Sequence, residues 1–236
     1  MIEKKTRIWE LDALRGICIL GMIFVHFFFD LSAFGGMKLT LPKWFLFMRE
    51  YGHILFILIS GICATLAKTT AKRGAVVFAA GLLVSYVTFF MEYVIGISGI
   101  RIWFGILHLL GMCMLLYPLF RRLPFWALGL IGMAFIALGI WMDSYRVSVD
   151  FLFPIGLRSG NCFTGSDFFP LFPGLGWFLV GACIGKTAYR RKQSLLPRAP
   201  SDFCILRFFR FCGRHSLEIY LLHQPVLTIA VTLHFD

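Results

Sequence analysis

PFWALGLIGMAFIALGIWM, residues 124–142, carries no ionisable side chain in nineteen positions. A helix needs roughly 20 apolar residues to cross a bilayer, where its own hydrogen bonds must satisfy the backbone. The stretch has that length and no polar face to turn toward water, so it reads as a plain membrane anchor. Six further apolar stretches flank it, at about 11–31, 47–67, 74–93, 102–120, 168–188 and 213–234. The expected fold class is therefore all-α: a polytopic membrane helix bundle of about seven transmembrane helices, in a single domain over residues 1–236.

Composition agrees. Hydrophobic residues make up 59 % of the chain and charged residues 15 %, against about 25 % charged in a soluble domain. The mean hydropathy is +0.81. Too little charge is present to cover a water-facing surface, which argues against a soluble enzyme, a disordered chain and a fibrous protein. The net charge of +11 does not point to nucleic acid, because the basic residues sit in short loops between apolar spans. Their first partner is the lipid bilayer, and anionic lipid or an anionic substrate can use them too. The seven cysteines are odd in number and show no Cys-x-x-Cys or Cys/His metal spacing. No disulfide framework and no metal site is expected. Lys4, Lys5 and Arg7 before an apolar run resemble a signal peptide, but Asp12, Arg15, His26 and Asp30 lie within that run. It reads as a retained first helix of an integral membrane protein.

Orientation follows from the loop cations. The amino-terminal segment and the even loops hold fifteen Lys and Arg, and the odd loops hold six. The positive-inside rule then places the amino terminus in the cytoplasm and the carboxyl terminus outside. A seven-helix receptor of the rhodopsin type has the opposite orientation. The longest outer loop is 143–167, and the longest inner loop, 189–212, is basic and contains Pro197 and Pro200. No internal repeat of the kind common in transporters is visible.

Ionisable groups inside a span cost at least about 2.5–3.5 kcal/mol on insertion scales and so face a partner or a wet cavity. At about 100° per residue, Asp12, Arg15, His26 and Asp30 fall within a sector of about 60° on the first helix. Asp12 and Arg15 are spaced to pair near one end, and His26 and Asp30 near the other. A carboxylate beside an imidazole orients the ring and strengthens it as a proton acceptor, which suits a general base. The same pairs serve equally well as structural locks within a bundle. The second helix offers Glu50, His53 and Ser60. The third offers Ser85, Thr88 and Glu92. Arg101 and His108 align on the fourth, and Ser216, Tyr220 and His223 on the last, with Pro225 freeing a backbone carbonyl one turn earlier. With the amino terminus inside, His26, Asp30, His53, Glu92, Arg101 and His108 fall at the outer level, and Asp167 sits where the sixth helix enters. An outward-facing polar chamber is expected, against the alternative that several of these groups snorkel at the interface. Gly181 and Gly185 have the spacing of a close helix approach. Pro170 and Pro173 fit a broken helix start that lines a cavity.

RIWELDALRGICILGMIFVHFFFDL (7–31), with its LDALRG start, resembles the opening helix of the heparan-α-glucosaminide N-acetyltransferase catalytic-domain family. ILFILISG (54–61), FFPLFPGLGWFLVG (168–181) and GRHSLEIYLLHQPV (213–226) resemble its second, FPLFP-containing and final helices, in that order. The resemblance implies a transmembrane acetyltransferase. Its acetyl-CoA co-substrate is supplied from the cytoplasm, and the acetyl group ends on an amino sugar on the far side. The animal enzyme's proposed active histidine lies in the first outer loop, whereas residues 31–52 here hold none and His53 departs from the motif. A short chain of this kind resembles bacterial members, in the cytoplasmic membrane, with a cell-envelope glycan or another amine or hydroxyl as acceptor.

With that chemistry implied, His26 oriented by Asp30 is the expected general base. His108 and Arg101 are the expected oxyanion partners, and His53, Glu92, Asp167, Tyr220 and His223 the chamber lining. Arg15, Arg73, Arg122 and Arg214 are the expected partners of the CoA phosphates. A homo-oligomer is compatible with this reading. Direct transfer and transfer through an acetyl-histidine stay open at this level. The rival from another class is a proton-coupled transporter of an envelope precursor, since intramembrane His and Asp residues also build proton relays.

Overall fold

A computed structural model of the chain describes residues 8–33, 40–96, 100–160, 167–196 and 203–235. Its helices are α1 (Trp9–Ala33), α2 (Lys43–Leu66), α3 (Thr70–Ile95), α4 (Ile106–Phe120), α5 (Phe125–Asp143), α6 (Leu171–Thr187), α7 (Cys204–Arg214) and α8 (Ser216–Phe235). Between α5 and α6, strands β1 (Arg146–Val147) and β2 (Arg158–Ser159) pair in parallel around a 3-10 turn at Asp150–Ile155. Cys162, in the same connection, lies outside the described residues.

Among the described residues, four helices are long and apolar enough to cross a membrane: α1, α2, α3 and α5. Helices α4, α6 and the Ser216–Val231 part of α8 are apolar but shorter. Their side chains are arranged inside out relative to a water-soluble protein. On α3 and α5, Tyr86, Tyr93, Leu82, Leu130 and Ile140 are largely exposed, while Asp30, His108 and His223 are buried. An apolar exterior of this kind suits hydrocarbon and would drive association in water.

Residue contacts divide the chain into two units, residues 1–59 with 191–236, and residues 60–190. In the first, α1 packs against α7 and α8, and Phe45 of α2 packs edge-on against Phe24 and Phe28 of α1. Gly16 and Gly213 set the α1–α7 crossing. A Cβ on Gly16 would lie 2.0 Å from the Phe209 carbonyl oxygen, and one on Gly213 would lie 1.8 Å from that of Asp12. The connection before α7 is tied back to α1. The buried Glu10 carboxylate accepts the Ser194 hydroxyl and the Leu195 N–H, each at 2.8 Å.

In the second unit, α3 pairs with α4, and α5 with α6. Gly132 and Gly176 bring α5 and α6 backbone to backbone, since a Cβ on either would sit within 2.9 Å of the other's carbonyl oxygen. The expected small-residue approach on α6 is made by Gly185, against Ile62 and Thr65 of α2. Gly74 lies against Met114 and Leu115, so the start of α3 runs beside the last turns of α4. Arg73, Arg121 and Arg122 therefore share one end of that pair.

Two boundaries differ from expectation, and one agrees. The basic connection 189–212 holds most of helix α7, which runs on to Arg214. Eleven residues are too few to register as a span, but Arg207, Arg210 and Arg214 share one face and Cys204, Phe208 and Phe211 another. Helix α4 begins at Ile106, not near 102, because Gly105 is extended (φ −92°, ψ −173°) and serves as its N-cap. Arg101 is therefore not on the helix that carries His108. Helix α6 has a broken start, as expected: Phe172 is extended (φ −104°, ψ 127°), the conformation a following proline favours.

Candidate functional site

The first unit gathers polar groups at both ends of α1. Near its start, Arg15 Nη1 lies 3.7 Å from Asp12 Oδ1, the expected i,i+3 pair. Arg214 Nε lies 3.5 Å from the other carboxylate oxygen, and Arg15 also donates to the Gly213 carbonyl at 3.2 Å. Two of the four arginines assigned to CoA phosphates from the sequence, Arg15 and Arg214, are thus engaged with Asp12 and the α7–α8 junction. A buried carboxylate is stabilised by having two guanidinium neighbours.

Near the other end, the structure corrects the His26/Asp30 pairing. Asp30 is fully buried, and its carboxylate takes both bonds from the Gln224 amide nitrogen, at 3.0 Å and 3.1 Å. The i,i+4 spacing puts His26 and Asp30 on one face, yet a short Asp side chain reaches the longer amide of the facing helix instead. His26 meets His223 of α8, ring edge to face, with centroids 5.1 Å apart. The His223 ring also lies beside that of Tyr220, tilted by 56° with centroids 5.2 Å apart. Its Nδ1 bonds the Tyr220 carbonyl oxygen. A carbonyl only accepts, so Nδ1 carries the proton, and in the neutral ring Nε2 presents a lone pair. That Nε2 is buried with no hydrogen-bond partner among the described residues, as is Gln224 Oε1. His53, on α2 of this unit, interacts with Glu50 one turn earlier.

The second unit holds its own polar group where α3 ends and α4 begins. The Gly105 N–H donates to His108 Nδ1 at 3.2 Å, so the neutral ring carries its proton on Nε2, which faces Ser85 Oγ at 3.4 Å. Ser85 in turn donates to the Ile102 carbonyl at 2.6 Å, and Thr88 Oγ1 accepts the Ile102 N–H at 3.2 Å. Both ring nitrogens of His108 are occupied, so it presents no idle donor for an oxyanion. Arg101 is held by Glu92 at 3.1 Å and lies over the rings of Phe89 and Trp103, at 5.0 Å and 5.3 Å. Asp167 packs on the same turn, its Oδ2 2.9 Å from where a Gly105 Cβ would stand. Arg73 and Arg122 are exposed. A cleft of about 350 Å³ opens beside the ends of α5 and α6, lined by Gly139, Asp143, Gly156, Arg158, Phe168 and Phe172. Arg158 and Asp143 form an ion pair at its rim.

Sequence reasoning missed Gln224 and Glu10. Gln224 stood in plain view between His223 and Pro225, and an amide one residue from an intramembrane histidine was the signal. Glu10 carried none, since a carboxylate in the first turn of a helix is common. Among the described residues, no group of three or more His, Cys, Asp or Glu side chains is placed to hold a metal ion.

Apolar helices with bare hydrophobic exteriors and buried polar clusters define a polytopic, all-helical membrane protein. The chain belongs to a family of acetyltransferases: the family model described as "Heparan-alpha-glucosaminide N-acetyltransferase, catalytic" matches residues 7–225. No curated protein and no solved structure matches it.

Proposed function

We propose that this chain is a transmembrane acetyltransferase that moves an acetyl group from cytoplasmic acetyl-CoA to an extracytoplasmic amino sugar or other glycan acceptor. The observation that carries the reading is the family match over residues 7–225. In this reading α1–α6 and α8 are the seven spans, α7 lies along the cytoplasmic face, and the protein resides in a bacterial cytoplasmic membrane. The loop cations support the orientation. Arg73 and Arg122, exposed at one end of the α3–α4 pair, are the charge partners of CoA phosphates. Arg15 and Arg214 serve Asp12 first. Proton acceptance from the acceptor falls to the His26–His223 pair, held in place by Asp30 and Gln224. Arg101, His108, Glu92 and Asp167 shape the polar end of the α3–α4 pair, and His53 that of α2.

The test is thermal stability of the purified protein in detergent with acetyl-CoA, using free CoA and ATP as controls, followed by transfer of a labelled acetyl group to a panel of amino sugars. A ligand at 100 times its dissociation constant stabilises by about 2.7 kcal/mol. The expected result is a shift with acetyl-CoA larger than with ATP, and label on an amine. No shift at millimolar acetyl-CoA in folded protein overturns the reading in favour of proton-coupled transport.

A further inference from the structure

Within unit one, two buried acceptors on a single turn of α8 have no donor among the described residues. Gln224 turns its amide nitrogen to both oxygens of Asp30, because a carboxylate offers only acceptors, and this leaves Oε1 pointing elsewhere with no partner. His223 spends its Nδ1 proton on the Tyr220 carbonyl and leaves Nε2 as a bare lone pair, although the residue is only 9 % exposed. Buried polar atoms are normally paired, and leaving one unmade costs about 1–3 kcal/mol. The groups packed around His223 do not supply a donor to it: the His26 ring meets it through a ring-to-ring contact, and Asp30 is taken by Gln224.

We infer that His223 Nε2 is the atom that takes the proton from the amine acceptor of the proposed reaction. This rests on the acetyl-transfer reading and deepens it. It also moves the base from His26, the sequence expectation, to its neighbour on α8. In the reaction the amine nitrogen attacks the thioester carbonyl carbon and the N–C bond forms. The surplus proton on nitrogen passes to His223 Nε2. The tetrahedral intermediate then collapses, the C–S bond breaks, and the imidazolium returns its proton to the departing thiolate. The products are the acetamide and the CoA thiol, with the ring restored to its starting tautomer by the unchanged bond to Tyr220. Gln224 Oε1, one residue on, is the second acceptor available to an amine that has more than one N–H.

Two substitutions in the full chain separate the base from its frame. His223→Asn keeps an N–H donor where Nδ1 stood and removes Nε2. His223→Gln returns a polar atom near the Nε2 position that cannot take a proton. The expected result is a fall in kcat of about 10²–10⁴-fold in both, with the thermal shift by acetyl-CoA unchanged. A His223→Asn protein with kcat within threefold of wild type overturns the assignment. A second reading needs no turnover. Diethyl pyrocarbonate acylates unprotonated imidazole nitrogen, so mass spectrometry of the treated, folded wild-type protein should find His223 modified, less so when glucosamine is present, and His108 spared. An unmodified His223 overturns the proposal, because a nitrogen that meets an amino sugar must admit a smaller reagent. Modified His223 in a protein that transfers no acetyl group to any amine would instead retain the site and remove the acetyl-transfer reading.

Discussion

His108 illustrates how a single ring can be read two ways. Its position at the third residue of α4, with Nδ1 accepting the Gly105 N–H, is that of the Glu or Gln that closes a helix start. Through Ser85 it also ties α4 to α3. His108→Gln should therefore retain the cap and stay close to wild type in stability. His108→Ala should lose about 1–3 kcal/mol, the penalty for stranding its buried partners. Unfolding in mixed detergent measures both. Equal destabilisation by Gln and Ala would show that the ring does more than cap. The contrast with His223 lies entirely in hydrogen bonding: one histidine has both nitrogens occupied, while the other has one to spare.

Helix α7 owes its seat to two glycines, Gly16 of α1 and its own Gly213. Its face toward α1 carries Gly213, where a Cβ would lie 1.8 Å from the Asp12 carbonyl oxygen. That atom is backbone and cannot swing aside. Gly213→Ala should lift α7 from α1 and destabilise the protein by about 1–3 kcal/mol, the usual cost of overpacking. Faster tryptic cleavage at Arg207 and Arg210 would report it. Gly160→Ala, with nothing among the described residues within 4 Å of its Cβ, is the matched control and should change neither. Wild-type protease resistance in Gly213→Ala would show that α7 is held by its side chains alone. Its exposed Ile205, Phe208 and Phe211 beside Arg207 and Arg210 suit the boundary between headgroups and hydrocarbon.

For the chain as a whole the proposed orientation makes a direct prediction. In a variant without native cysteines, a cysteine replacing Ser159 should react with a membrane-impermeant maleimide added to intact cells. One replacing Lys192 should react only after permeabilisation. The reverse pattern would invert the topology and carry the donor and acceptor sides with it.

Hydrophobic helices, their order along the chain and the family were legible in the sequence. Each depends on local composition and spacing, and a bilayer leaves few other ways to satisfy the backbone of PFWALGLIGMAFIALGIWM. The faces were legible too, since Asp12 and Arg15 pair as their spacing predicts and Ser85, Thr88 and Glu92 do meet the segment before α4. Partner choice was not. Helical spacing states which residues share a face, but whether Asp30 bonds His26 or Gln224 depends on which side chain of α8 arrives opposite it. Residues 194 positions apart in the chain decided that pair. The tautomer of His223, and with it the free lone pair, followed from the Tyr220 carbonyl. Such choices are made by distances between helices, and only the tertiary structure sets those distances.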